Sequence, residues 1–155
     1  MTTWVHATEA VLHGIASCAL EAVPNEAGGA LLGWREGAGV NVMDFIEVQS
    51  ARPARARYEL GIIGLNNTLA DYLSKAADAR VGYVGSWHSH PVPSGPSLVD
   101  RHTFRKTGRA HALPLAFLVA ATNGRSTTFH TTWAGWRGSR YRLVPQATLT
   151  RSSGG

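Results

Sequence analysis

The stretch ARVGYVGSWHSHPVPSGPS, residues 79–97, joins an apolar run to two closely spaced histidines and then to a loop rich in proline. Residues 79–90 are rich in Val, Tyr and Trp, which predicts a β-strand that ends at Pro91, where proline breaks regular structure. His88 and His90 are two apart on this strand, so both imidazoles point to one face of the sheet. Such a pair can share a metal ion, although it is also compatible with two surface histidines.

Helical and extended patterns alternate around this strand. Apolar spacing predicts helices over residues 7–23, with Thr8 as the N-cap, over 60–78 and over 97–111. Short runs of apolar and β-branched residues predict strands at 28–36, 40–51, 113–122, 125–134 and 136–144. The segment 37–39 is predicted to be a turn, and the last two strands to form a hairpin. We therefore expect a mixed α/β fold in which one mixed β-sheet packs between helices.

Length and composition limit the classes of protein to consider. The chain has 155 residues, a net charge of +5 and a single cysteine. We expect one domain over residues 1–145 and a tail over 146–155 that ends in Gly-Gly. No long apolar run or secretory signal is evident, so we expect a cytoplasmic protein that does not span a membrane. Cys18 is expected to be a small core residue. The basic residues are dispersed without a nucleic-acid-binding motif, so a nucleic-acid partner is not expected.

A carboxylate and a serine follow the histidine pair at a spacing that suits both a metal site and a helix start. Asp100 can be the third ligand of tetrahedral zinc, since two His and one Asp leave the fourth position open for catalysis. Ser97 and Asp100 also suit the N-cap and the first turn of a helix. Zinc lowers the pKa of a bound water to about 7, and a base must then take the proton. Glu26 is the candidate base, because Gly28 and Gly29 after it permit close backbone approach.

These residues together resemble a known signature. The segment EAGGALLG at 26–33, the HSHP segment at 88–91 and Ser97-x-x-Asp100 are similar to the JAMM (MPN+) metalloprotease motif, and the chain resembles the prokaryotic JAB branch over residues 5–135. The resemblance implies a three-layer, MPN/JAB-like (cytidine-deaminase-like) domain. Asp100 follows His90 at one residue fewer than the family pattern, so His102 is an alternative third ligand.

The resemblance also implies a zinc-dependent isopeptidase or peptidase that hydrolyses an amide bond at the C-terminus of a ubiquitin-like or sulfur-carrier protein. In that family, residues matching His88, His90 and Asp100 hold Zn²⁺. The residue matching Glu26 takes a proton from water and passes it to the leaving amine, and the one matching Ser97 donates a hydrogen bond to the oxyanion. The alternatives are a zinc amidase or peptidase acting on small peptide-like substrates, and a non-catalytic MPN scaffold. Members of the scaffold class lose the metal ligands, which this chain retains.

Residues around the signature receive supporting roles. Ser89 is expected to face away from the metal with a structural role, and Trp87 to face the core. An extended substrate tail often adds a strand to an open sheet edge, so the strand 40–51 and the segment 52–60 are the candidate binding elements. Arginines at positions 52, 55 and 57 can meet acidic groups of a protein partner, or be solvated loop residues. Nothing in the sequence indicates the oligomeric state.

Overall fold

A mixed seven-stranded β-sheet forms the centre of the computed structural model, which describes residues 2–37, 39–53, 57–95, 97, 100, 102, 103, 106, 115–134 and 140–146. The described elements are β1 (Thr2–Thr8), α1 (Glu9–Ala22), β2 (Gly28–Glu36), β3 (Gly39–Glu47), α2 (Ile62–Lys75), β4 (Gly82–His90), β5 (Leu115–Thr122), β6 (Thr127–Ala134) and β7 (Arg140–Gln146). Across the sheet the strands follow the order β6-β5-β4-β2-β3-β1-β7. β2 and β6 run antiparallel to the strands beside them, whereas β4, β5, β3, β1 and β7 share one direction.

Helix α1 covers one face of the sheet. It begins where predicted, because the Thr8 side chain accepts a hydrogen bond from the Val11 N–H at 3.1 Å. Its apolar stripe packs against one set of β5 side chains, and the alternate set lies in a second cluster with Tyr83 on the other face. The α1 stripe comprises Val11, Leu12, Ile15 and Ala19. Because β5 is buried on both sides, it reads in the sequence as a continuous apolar run.

Helix α2 lies over the face opposite to α1. Its residues Ile62, Leu65 and Leu69 border the same groove as Tyr83 and Phe117, which belong to that face. The residues described between positions 100 and 106 are also helical, and Asp100, Thr103 and Lys106 among them border this groove. The expected three-layer α/β architecture, a mixed sheet between helices, is therefore confirmed. Within the described residues, no helix combines the length and apolar character needed to cross a bilayer.

The predicted pairing of the last two strands is wrong. β6 pairs antiparallel with β5, while β7 pairs parallel with β1 at the other end of the sheet. β1, which supplies the edge on which β7 docks, was not expected from the sequence. The spacing of two strands along a chain favours a hairpin only when no other edge competes for the second strand.

The expectation that residues 40–51 form an open edge is wrong for the first part of β3. Trp4–Ala7 of β1 pair with Gly39–Val42, so this part of β3 lies inside the sheet, whereas Asp44–Glu47 pair with β2 alone among the described residues. Among the described strands, β6 and β7 are the edges. Gly37, with φ of 57°, lies in the predicted turn between β2 and β3. Most of the predicted tail, residues 147–155, lies outside the described residues.

Candidate metal centre

His88, His90 and Asp100 form a buried cluster at the C-terminal end of β4. One potential ligand atom from each residue lies within 4.8 Å of the others. His88 Nε2 is 3.4 Å from Asp100 Oδ1, His90 Nε2 is 3.2 Å from Asp100 Oδ2, and the two Nε2 atoms are 3.1 Å apart. The structure therefore brings the three predicted ligands together. His102 is exposed and does not belong to the cluster.

The chemistry of these donors fits a divalent metal ion. His90 Nδ1 lies 2.9 Å from the Ser94 carbonyl oxygen, and that acceptor requires Nδ1 to carry the proton. The lone pair of His90 is thereby placed on Nε2, the atom that faces the cluster. Histidines that bind metals usually donate their other ring N–H in this way, which fixes both tautomer and ring orientation. Two imidazoles and one carboxylate suit zinc and leave a coordination position for another ligand.

The charges in the cluster also favour a cation. Burial alone would raise the pKa of Asp100, but hydrogen bonds with His88 and His90 and from the Ser97 N–H hold it well below its ordinary value. The hydrogen bond with Asp100 raises the pKa of His90 against the effect of burial, with smaller contributions from the Ser94 carbonyl and the charge of Glu26. Asp100 is therefore ionised at neutral pH, as a metal ligand must be.

Ser97 and Asp100 make the reciprocal hydrogen bonds of a helix N-terminus. The Ser97 N–H donates to Asp100 Oδ2 at 2.8 Å, and the Asp100 N–H donates to Ser97 Oγ at 3.0 Å. This is the geometry of a capping box with aspartate in place of glutamate. The two interpretations of this motif are thus compatible, because the cap holds the Asp100 carboxylate toward the histidines. Accepting a hydrogen bond leaves the exposed Ser97 hydroxyl able to donate one.

Glu26 is held beside the cluster by its neighbours in the chain. The Ala27 N–H donates to Ser89 Oγ at 2.8 Å, and the Ser89 N–H donates to the Ala27 carbonyl at 2.8 Å. Ser89 lies between His88 and His90 in the sequence, is buried, and faces away from the cluster. Its two hydrogen bonds with Ala27 attach the loop that carries Glu26 to β4. Glu26 Oε1 accepts a hydrogen bond from the Tyr58 N–H at 2.9 Å. Tyr58 also contacts His88, so the Glu26 carboxylate and the cluster share a neighbour, and the charge of Glu26 makes a smaller contribution to the raised pKa of His90.

Tyr58 is a member of the site that the sequence analysis missed. Its ring stacks on the His88 imidazole, with centroids 6.5 Å apart and planes inclined by 11°. The phenol donates to the Val48 carbonyl at 2.7 Å. The one available signal was Gly28, because a Cβ there would overlap the Tyr58 ring. The sequence indicated that something approaches this glycine closely, but not that a tyrosine does so.

A groove of about 520 Å³ runs between α2 and the helical residues near Asp100, and it reaches the metal cluster. Its floor and walls are largely apolar, and its charged lining residues are two basic ones, Arg57 and Lys106, and two acidic ones, Glu59 and Asp100. Its lining includes Ile62, Leu65, Leu69, Tyr83, His88 and Phe117. Of the other predicted partner contacts, Arg52 forms an exposed ion pair with Glu59 at 3.2 Å, and Arg55 lies outside the described residues. The groove is therefore an extended surface next to the cluster, and residues 57–60 of the candidate binding segment 52–60 border it.

The chain is similar to known proteins in sequence and in fold. The profile of prokaryotic homologs of the JAB domain matches residues 8–134. The chain is similar to a protein from Desulfitobacterium hafniense solved in solution, with 20% identity over 94% of each chain and a TM-score of 0.73. It also resembles a JAB1/MPN domain protein from Archaeoglobus fulgidus, with 15% identity over 90% of this chain and 97% of that one, and a TM-score of 0.54. At these identities the two structures show the fold alone. No curated protein matches the sequence significantly.

Proposed function

Because the chain belongs to the family of prokaryotic homologs of the JAB domain, we propose that it is a zinc-dependent peptidase or isopeptidase. The observation that carries the proposal is the convergence of His88, His90 and Asp100 on one point beside Glu26. A non-catalytic scaffold has no need of a buried cluster whose histidine tautomer is fixed for metal binding. The proposed reaction is hydrolysis of an amide bond, in which water adds to the carbonyl carbon and an amine leaves.

Each residue of the site has a separate role in that reaction. His88, His90 and Asp100 would hold zinc, which when bound supplies the Lewis acidity that activates water and polarises the scissile carbonyl. Glu26 takes the proton of the attacking water on Oε2, since Oε1 accepts the Tyr58 N–H, and then passes that proton to the leaving nitrogen. The Ser97 hydroxyl donates a hydrogen bond to the negative charge that develops on the carbonyl oxygen.

The substrate that we propose is the C-terminal tail of a ubiquitin-like or sulfur-carrier protein of the cytoplasm. The groove beside the cluster can receive an extended chain, and its largely apolar lining suits an apolar segment of a protein, while Arg57 and Lys106 can meet acidic groups and Glu59 can meet basic ones. Binding of the globular part would hold the tail at the site, so the whole protein should be a better substrate than a free peptide.

The test is cleavage of a fusion in which a ubiquitin-like protein ending in Gly-Gly precedes a second protein. The zinc-loaded enzyme should cut directly after Gly-Gly. Glu26→Gln should retain zinc and lose most turnover, because the amide cannot take the proton. Glu21→Gln is the matched control, since it makes the same change of charge on a carboxylate that borders a cavity shared with Glu26. Equal turnover by Glu26→Gln and the wild type would exclude Glu26 as the base.

The remaining alternatives give different results in the same assay. A small-molecule amidase would hydrolyse short aminoacyl amides as well as the intact fusion and would tolerate bulky residues before the cleaved bond. A scaffold would bind the fusion without cutting it, with or without added zinc. The first result would replace the proposed protein substrate, and the second would remove the proposed activity.

A further inference from the structure

Tyr58 has no step in the proposed reaction, yet it contacts both parts of the site. Its backbone N–H donates to Glu26 Oε1 at 2.9 Å, and its ring lies nearly parallel to the His88 imidazole, at 11°. One residue thus contacts the candidate base through its main chain and a candidate metal ligand through its side chain.

The Tyr58 side chain contacts three residues of the site: Val48, Gly28 and His88. Its hydroxyl donates to the Val48 carbonyl at 2.7 Å, and the Val48 N–H donates to the Gly28 carbonyl at 2.9 Å. Gly28 pairs with His88 across β2 and β4, and the ring occupies the space that a Cβ at Gly28 would fill. Tyr58 is therefore linked to His88 in two ways: directly by the stacking of the two rings, and indirectly through Val48 and Gly28.

We propose that Tyr58 is a positioning residue of this site, whose ring fixes the plane of the His88 imidazole while its backbone N–H fixes the Glu26 carboxylate. A ring that is already oriented loses less rotational freedom when Nε2 binds a metal, so metal affinity depends on whatever orients it. The part concerning Glu26 rests on the proposed function. The part concerning His88 requires only that the cluster binds a metal.

Two substitutions separate the ring from the hydroxyl. Tyr58→Ala removes the whole stacking surface, whereas Tyr58→Phe retains the ring and loses only the hydrogen bond to Val48. Tyr72→Ala is the matched control, because the Tyr72 hydroxyl also donates one hydrogen bond, to Asp44 Oδ2 on β3 at 2.7 Å. The melting temperature of each metal-free protein reports the general loss of stability.

Zinc affinity, measured by competition with a chromophoric chelator, should fall in Tyr58→Ala by about 10- to 100-fold, the usual cost of losing a partner that orients a ligand. Tyr58→Phe should stay close to wild type, and so should Tyr72→Ala despite its lower melting temperature. The visible spectrum of the Co²⁺-loaded protein, which reports ligand geometry, should change in Tyr58→Ala alone. In cleavage of the Gly-Gly fusion, Tyr58→Ala should lower kcat more than it raises KM.

A glycine substitution tests the same contact from the other side. Gly28→Ala places a Cβ where the Tyr58 ring lies, so it should displace the ring and weaken zinc binding. In the Tyr58→Ala background that collision is absent, and Gly28→Ala should then add little. This non-additivity is the sign of a direct contact between the two residues.

Wild-type zinc affinity and an unchanged Co²⁺ spectrum in Tyr58→Ala would overturn the inference. So would a Tyr58→Phe protein as weak as Tyr58→Ala, because the hydroxyl and not the ring would then be responsible. A wild-type protein that binds zinc but cuts no Gly-Gly fusion would remove the proposed function, while the zinc comparison would still decide the role of Tyr58. A wild-type protein that binds neither zinc nor cobalt would remove both.

Discussion

Replacing Ser89 by alanine should damage both stability and catalysis while sparing the metal ligands. The Ser89 hydroxyl accepts the Ala27 N–H at 2.8 Å, and both residues are buried. Without the hydroxyl this N–H has no partner and no access to water, which costs about 1–3 kcal/mol. For a chain of this size, 1 kcal/mol lowers the melting temperature by about 2–4 °C, so a decrease of about 2–12 °C is expected.

The catalytic consequence follows from the place of Ala27 in the chain. Glu26 precedes it directly, so a loop that shifts to satisfy the Ala27 N–H moves the carboxylate. A misplacement of about 1 Å can cost roughly 10²-fold in rate. We expect Ser89→Ala to lower kcat by about 10- to 100-fold with little change in KM. Zinc affinity should be nearly unchanged, because Ser89 points away from the cluster.

The assay combines thermal unfolding, zinc titration and cleavage of the Gly-Gly fusion on the same preparations. Ser74→Ala is the control, because it removes an exposed serine hydroxyl whose hydrogen bond goes to the Asp71 carbonyl on α2. It should leave all three measurements near wild type. If Ser89→Ala melted and turned over like the wild type, the Ser89–Ala27 bond would not be what holds Glu26.

Three further predictions concern other parts of the structure. Asp100→Ala should lose most zinc affinity and His102→Ala should retain it, as measured by metal content after dialysis; the reverse result would make His102 the third ligand. Ser97→Ala should remove the cap, lowering stability by about 1 kcal/mol in denaturant titrations, and should slow amide hydrolysis about 10²-fold if the hydroxyl contacts the oxyanion. Burial and the nearby carboxylate of Glu47 raise the pKa of the Cys18 thiol from its ordinary value of 9.0 to about 11. At pH 9, alkylation of Cys18 in the native protein should therefore be about fiftyfold slower than in urea, where the ordinary pKa applies, and it should accelerate toward pH 11. Equal alkylation rates in the native and the unfolded protein would contradict the raised pKa.

The elements that local pattern determines were predictable from the sequence. Helix α1 was expected over 7–23 and forms over Glu9–Ala22, with Thr8 as its cap. Strands β2 and β3 were expected to flank a turn and do so, because hydrophobic pattern and turn residues act over a few positions. Pairing between distant segments was not predictable in this way. The pairing of β7 with β1 joins the two ends of the described chain, and no spacing rule reports it.

In the candidate site, too, some residues were predictable from local sequence patterns and others were not. The same-face placement of His88 and His90 followed from strand geometry, and the Ser97 and Asp100 cap followed from helix rules. Tyr58 could not be predicted, because residues 57–61 have no regular secondary structure and its contact with His88 joins two segments that are 30 residues apart in the sequence. The groove was only partly predictable, for a related reason. Of the two binding elements expected from the sequence, the segment 52–60 borders the groove with residues 57–60, whereas the strand 40–51 is covered by β1 over Gly39–Val42.

The approach of Glu26 to the histidines depends on the register of β2 against β4. The two strands are antiparallel, and Gly28 pairs with His88, so the loop before β2 meets the end of β4. A slip of one residue would turn the histidines to the opposite face, and a slip of two would move Glu26 by about 7 Å along the strand. Next to this pair, the Ala27 N–H donates to Ser89 Oγ and the Ser89 N–H donates to the Ala27 carbonyl, and a slip in either direction would break both bonds. The contacts that hold β2 in register with β4 therefore lie one residue away from the candidate base, which is why they also place it beside the metal ligands.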